Sequence, residues 1–230
     1  MVWVGDDIPS WLAWSAWALM LALFASISQD VALRRRILRL RTAGLLAVLL
    51  FLWALSVDVS RGASAGVGFH LLGVTLAFLV LQARAALGLM LLLGLAFYLP
   101  EAWRHQQGLN LAANALLLVL PAWLVNVGMT KLIQYHLPKH LFVFILGRGF
   151  ITAGISMLVS GLCVTLALYL TGRYSVYVLR EEVLPVYVLL MWGEGFLTGL
   201  WVAVMVAFKP HWLDAYSDAV YLPAAPKQRW

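Results

Sequence analysis

The sequence consists largely of apolar runs that are each close to the length of a membrane-spanning helix, and this pattern limits the fold more than any other feature. A helix of about 20 apolar residues crosses the hydrocarbon core of a bilayer. Because 63% of the residues are hydrophobic and only 11% are charged, a soluble domain of 230 residues would have no interior large enough to bury them. The sequence therefore predicts an all-α, polytopic membrane protein.

We interpret the apolar runs as seven transmembrane helices in one domain, residues 1–210, followed by a flexible cytoplasmic tail, residues 211–230. The expected spans are 10–30, 42–58, 67–82, 85–100, 109–131, 141–171 and 183–208. Only Gln82, Ala83 and Arg84 separate the third span from the fourth, so we expect these two spans to form a tight helical hairpin.

The positions of Lys and Arg predict the orientation. With the N-terminus outside, the cytoplasmic loops receive most of the cations, including the arginine cluster at 34–41. The outer loops receive Arg61, Arg104, Arg173 and Arg180. This asymmetry follows the positive-inside rule and places the C-terminus in the cytoplasm. The net charge of +6 is thereby explained by topology rather than by nucleic-acid binding, and the lipid bilayer is the expected partner of the apolar surface.

A single histidine, His70, lies about one turn inside the third expected span, directly after a loop rich in glycine and serine at 60–68. An ionisable side chain at this depth is costly and indicates function, and small residues let a backbone approach a bound group closely. His70 is therefore the candidate ligand for a metal ion. The alternative is that its ring makes a hydrogen bond that only packs helices together.

Other polar side chains are expected near His70 on the outer side. Asn110 and Asn114 are four positions apart and share one face of the fifth span, while Asp6 and Asp7 lie at the outer mouth. Together with His70, these candidate substrate-binding residues would ligate a transition-metal cation or bind a polar organic molecule.

Two charged residues lie deeper in the expected spans. Arg148 is about two turns inside the sixth span and Glu194 is near the middle of the seventh. A lone charge there costs about 2.5–3.5 kcal/mol on insertion scales, so each needs a partner. We expect the two to form an intramembrane ion pair, and a moving gate is the alternative.

Three glycines of the sixth span, Gly147, Gly154 and Gly161, recur every seven residues and share one helix face. Such a face allows a neighbouring helix to approach closely. It serves either packing within this fold or docking of a partner membrane subunit.

The sequence carries neither of the short motifs GxxxxGK[ST] and HExxH, and its only cysteine is Cys163. These motifs would indicate a phosphate-binding loop or a zinc protease. We therefore do not expect an enzyme, and energy for transport would have to come from a gradient or another subunit.

Two segments resemble motifs of the cobalt/nickel permeases (CbiM/NikM-like), the substrate-binding membrane subunits of energy-coupling-factor ABC transporters. Residues 68–73, GFHLLG, are similar to the family's Ser-x-His-x-x-Gly segment, with Gly68 in place of the serine. Residues 108–114, GLNLAAN, are similar to a second segment and place Asn114 on the family's asparagine. Residues 137–222 resemble an uncharacterised bacterial membrane branch of the same superfamily.

The resemblance implies a multi-pass protein of the bacterial inner membrane that captures a small solute, such as cobalt or nickel, from outside. It also implies a scaffold transmembrane subunit and cytoplasmic ATPase subunits as partners. In the metal-binding family the chain begins Met-His-Ile, and the terminal amine and second-position histidine help to bind the metal, whereas this chain begins Met1-Val2-Trp3. Either Asp6 or Asp7 takes over that role, or the ligand is not nickel or cobalt.

A function of another class also fits the sequence. A membrane assembly protein would hold a partner complex through the glycine face of the sixth span and the cytoplasmic loop at 135–140, without transporting anything.

Overall fold

A computed structural model gives the structure of the chain and describes residues 8–29, 40–59, 62–104, 106 and 108–222. Six main helices follow one another within these described residues: α1 (Ser10–Ser28), α2 (Leu40–Ala54), α3 (Val74–Arg104), α4 (Leu111–His136), α5 (Thr152–Leu170) and α6 (Leu184–Phe208). Two short strands, β1 (Val57–Asp58) and β2 (Gly68–Phe69), pair in antiparallel register between α2 and α3. The apolar runs form helices because a helix satisfies its own backbone hydrogen bonds within lipid.

Short helical segments join or extend the main helices. The 3₁₀ turns are Gly108–Asn110 and Pro210–Trp212, the π-helical segments are Val143–Ile151 and Leu179–Val183, and the short α-helices are Val176–Val178 and Asp218–Tyr221.

Within the described residues, five helical stretches are long and apolar enough to cross a membrane. They are Ser10–Ser28, Val74–Pro100, Gly108–His136, Val143–Leu170 and Val176–Phe208. The second expected span is a shorter apolar helix, Arg41–Ala54. The protein is thus a multi-pass membrane protein, as predicted, and large apolar side chains such as Leu170 and Phe208 are more than 70% exposed on its surface.

The third expected span is only half helical. Residues 68–73 form β2 and an extended loop, and the helix begins at Val74 after Gly73, whose φ of 68° favours glycine. The helix then breaks at Gln82, where φ is 65° and ψ is 172°. Beyond the break the chain runs back, because the ring of Phe97 lies 5.4 Å from the ring of His70. The helical hairpin predicted at Gln82 is therefore present, but its first arm is short.

The segment after α6 packs against the helices. Leu213, Tyr216 and Tyr221 are buried, and the Ala215 amide donates to the carbonyl oxygen of Leu79 at 3.1 Å. The expectation of a flexible tail from residue 211 is corrected for residues 211–222, because the aromatic side chains there bury themselves against the bundle.

Glycines let α6 pack closely on α5 and on the segment before it. A Cβ atom on Gly161 would overlap the ring of Tyr187, and one on Gly154 would lie 3.2 Å from the Met191 carbonyl oxygen. Gly147 faces α4 instead, where a Cβ would lie 3.4 Å from Ile133 Cδ1. The three glycines of the predicted face thus contact helices of this chain.

Candidate functional site

His70 lies in the extended loop between β2 and α3, and only 6% of its surface is exposed. Its ring centroid is 4.9 Å from that of Trp53 and 5.4 Å from that of Phe97. Its Nδ1 atom lies 2.9 Å from the Leu71 carbonyl oxygen. A proton on Nδ1 donates to this oxygen, and that tautomer places the lone pair of the ring on Nε2. The loop and its aromatic neighbours therefore fix the orientation and the tautomer of the His70 imidazole.

The loop that carries His70 is held by side chains from two other helices. Trp53 of α2 donates its indole N–H to the Leu72 carbonyl oxygen at 2.9 Å. Glu194 of α6 accepts hydrogen bonds from the amides of Leu72 at 2.8 Å and Gly73 at 2.6 Å. These amides precede the first turn of α3, where a helix leaves N–H groups without intrahelical partners. Glu194 thus ties α6 directly to the His70 loop.

A small cavity of about 20 Å³ lies beside His70. Four residues with polar side chains line it, namely His70, Tyr98, Ser160 and Tyr187. About 10–15 Å³ of such space is enough for one water molecule, whereas pockets for organic ligands usually exceed 300 Å³. The cavity therefore has the size of one water molecule or one metal ion.

Asn114 is buried near the start of α4 and faces a different space. Its side-chain amide donates to the Asn110 carbonyl oxygen at 2.9 Å, and Asn110 is also buried. The Asn114 side chain lines an apolar groove of about 730 Å³ between α1, α4 and α5. Leu118, one turn further along α4, lines the His70 cavity. The structure therefore places Asn114 beside the His70 cavity rather than in its wall.

Asp6 and Asp7 lie outside the described residues. The first described residue is Ile8, and Ile8 and Pro9 line the same groove as Asn114. Among the residues described, no group of three or more His, Cys, Asp or Glu side chains is placed to hold a metal ion. A metal site that includes His70 would accordingly draw further ligands from hydroxyl groups or from the N-terminal segment.

The ion pair expected between Arg148 and Glu194 is not formed, and this prediction is corrected. Glu194 binds backbone amides at the start of α3, whereas Arg148 donates to the carbonyl oxygen of Ala215 and the hydroxyl of Tyr221. The two groups lie at different depths, and each finds polar partners nearer than the other.

Sequence reasoning missed a buried polar cluster that joins three helices. The Asn126 side-chain amide of α4 donates to Thr75 Oγ1 at 3.0 Å and to Ser156 Oγ at 2.9 Å. Thr75 belongs to the first arm of α3 and Ser156 to α5, and all three side chains are buried. The presence of Asn126 within an apolar run could have indicated such a cluster, because a buried side-chain amide in a membrane requires hydrogen-bond partners.

The chain was also compared with known proteins. No significant match is found among curated proteins. Residues 7–212 match the family described as the cobalt uptake substrate-specific transmembrane region, which confirms the resemblance seen in the motifs. The match covers all six main helices and ends with the 3₁₀ turn Pro210–Trp212. The chain therefore belongs to this family of membrane components for cobalt uptake.

Proposed function

We propose that this protein is the substrate-capture subunit of an energy-coupling-factor transporter and that it binds a divalent transition-metal ion, in the first instance Co²⁺, at His70. One observation carries the proposal. A buried imidazole lines a cavity of about 20 Å³, the size of a single ion, in a chain of a cobalt-uptake family.

The ligand chemistry of the site suits such an ion. Imidazole nitrogen is a good ligand for late first-row metals, and the proton held on Nδ1 leaves Nε2 as the ligating atom. Ser160 and Tyr98 supply oxygen atoms in the same cavity wall. Asp6 and Asp7 would add carboxylate ligands in this proposal, because they directly precede Ile8, which lines the same groove as Asn114.

Release toward the cytoplasm needs partners in this proposal. The chain has no GxxxxGK[ST] loop, so a scaffold transmembrane subunit and cytoplasmic ATPases would supply the energy. Because Glu194 of α6 binds the Leu72 and Gly73 amides, a movement of α6 would also move the His70 loop.

The test is metal content and calorimetric titration of the detergent-purified protein with Co²⁺, Ni²⁺ and Zn²⁺. The variants are His70→Ala and, as matched control, His136→Ala. His136 is an exposed histidine at the end of α4. We expect wild type and His136→Ala to bind one equivalent of Co²⁺, and His70→Ala to lose at least about tenfold in affinity, because removal of even an outer-shell partner costs 10–100-fold.

Monodispersity in size-exclusion chromatography shows that the His70→Ala variant is folded, and His70→Gln replaces it if it is not. Equal Co²⁺ affinity of the wild type and the folded His70 variant would show that His70 does not bind the metal. No binding of any of the three metals would favour the assembly role over metal capture.

A further inference from the structure

Arg148 carries a buried positive charge that the proposed metal site does not use. It is 5% exposed and lies in the π-helical segment Val143–Ile151 that leads into α5. Arg148 lines a cavity of about 500 Å³ at the end of the bundle that is predicted to face the cytoplasm.

The guanidinium of Arg148 has only neutral acceptors within the described structure. Its terminal nitrogens lie 3.2 Å from the Ala215 carbonyl oxygen, 3.4 Å from the Tyr221 hydroxyl and 3.4 Å from Thr130 Oγ1. Its Nε atom is buried and has no hydrogen-bond partner. The two contacts at 3.4 Å exceed the usual N–H···O distance of 2.7–3.2 Å. The Arg148 guanidinium therefore has N–H groups and a positive charge that the described residues do not fully satisfy.

The acid that lines this cavity does not neutralise Arg148. Asp214 is engaged by Arg41, whose two terminal nitrogens lie 2.5 and 2.7 Å from the two carboxylate oxygens. Lys139, an exposed residue in the same cavity wall, adds a second cation. With Arg41 and Asp214 cancelling each other, the wall retains the charges of Arg148 and Lys139.

We propose that this cavity binds a phosphate group, supplied by the headgroup of an anionic phospholipid. Arginine suits phosphate because its planar fork of N–H groups makes two parallel hydrogen bonds to phosphate oxygens. Basic pockets between helices on the cytoplasmic side are a known type of site for anionic headgroups. The volume of about 500 Å³ lies within the range of small-molecule sites. Free inorganic phosphate shares the recognised chemistry and is the other source to be distinguished.

The walls of the cavity fit an amphiphilic ligand. Tyr216 and Tyr221 stack with ring centroids 5.4 Å apart, and each ring lies 4.9 Å from that of Phe144. Phe144 also lies under the Arg148 guanidinium, 5.4 Å from it. Aromatic side chains are enriched at the level of lipid headgroups, where one end of the ring is apolar and the other wet.

The experiment measures the thermal unfolding midpoint of the detergent-purified full chain by tryptophan fluorescence. The added probes are phosphatidylglycerol, phosphatidylcholine and inorganic phosphate, all at equal ionic strength. The variants are Arg148→Gln and Lys139→Gln, with Arg84→Gln as the matched control, because Arg84 is an exposed arginine at the predicted cytoplasmic end. A ligand that binds only the folded state raises the midpoint.

We expect phosphatidylglycerol to raise the midpoint of wild type and Arg84→Gln by about 5 °C, and phosphatidylcholine to have a much smaller effect. Arg148→Gln should abolish the difference between the two lipids, and Lys139→Gln should reduce it. An Arg148-dependent rise with inorganic phosphate alone would assign the site to free phosphate. If both lipids raised the unfolding midpoint of the wild type equally, the proposal would be wrong. If Arg148→Gln does not fold, Lys139→Gln becomes the test. A Lys139→Gln variant with the full wild-type difference between the two lipids would then contradict the proposal.

Discussion

Glu194 illustrates, at the scale of a single residue, how a carboxyl group in the membrane interior finds partners other than a cation. Its two oxygens accept hydrogen bonds from successive backbone amides, those of Leu72 and Gly73. The sequence indicated that Glu194 needs a partner, because a polar group in hydrocarbon is costly without one. It could not show which partner, because the amides exposed at the start of a helix carry no residue-type signal.

Substitution of Glu194 should destabilise the protein and weaken metal binding together. Glu194→Ala leaves two buried amides without acceptors, at about 1–3 kcal/mol for each. Glu194→Gln keeps one carbonyl oxygen as acceptor and should have a smaller effect. Thermal unfolding and Co²⁺ titration of both variants measure the two effects.

The matched control for Glu194 is Glu181→Gln. Glu181 is half exposed and pairs with an exposed Arg180, so its loss should change stability by less than about 1 kcal/mol. If Glu194→Ala were as stable as Glu181→Gln, the hydrogen bonds between Glu194 and the His70 loop would not stabilise the protein.

At the scale of elements, the contact between α5 and α6 depends on glycine. Gly161→Ala introduces a methyl group that overlaps the Tyr187 ring, and Tyr187 also lines the His70 cavity. We expect a loss of about 1–3 kcal/mol from overpacking, together with weaker Co²⁺ binding as the ring is displaced. The measurements are thermal unfolding and calorimetric titration.

Gly128→Ala is the control for that substitution. A Cβ at Gly128 of α4 meets nothing within 4 Å, so alanine there should be neutral or should stabilise by up to about 1 kcal/mol. A Gly161→Ala variant as stable as Gly128→Ala would contradict the packing and would favour the glycine face as a site for a partner.

The break in α3 marks the limit of what the apolar pattern reveals about an element. The run 67–82 has the composition of a span, yet residues 68–73 are extended. The positive φ angles of Gly66 and Gly73 explain why the helix starts late. The turn at Gln82 was predictable because only three residues separate two apolar runs. The late start was not, because it depends on Trp53 and Glu194 from distant helices.

At the scale of the whole molecule, the site is assembled from most of the chain. The His70 loop meets Trp53 of α2, Phe97 of the second arm of α3, Ser160 of α5 and Glu194 of α6. Motif resemblance pointed to His70 as a candidate ligand, and that assignment stays a prediction. The neighbours of His70 follow from three-dimensional packing between segments far apart in sequence, which no local pattern reports.

The salt bridge between Arg41 and Asp214 joins the N-terminal half of the molecule to the segment after α6. Arg41→Gln should leave the partly buried Asp214 without its cation and loosen the packing of that segment. We expect faster chymotrypsin cleavage at Tyr216 and Tyr221, which are each only 8% exposed in the wild type. Arg84→Gln should be cleaved at the wild-type rate, and equal rates for both variants would show that the salt bridge does not hold the segment.

The break at Gln82 also has a consequence for the order in which the chain matures after synthesis. The short arm 74–81 ends with carbonyl oxygens that no following helical turn can satisfy, and the Asp214 and Ala215 amides bind those of Val80 and Leu79. Gln82 and Asp214 are 132 positions apart, so the ribosome releases the arm long before its cap exists. The arm that follows the His70 loop should therefore be completed last, when the segment after α6 binds these carbonyl oxygens.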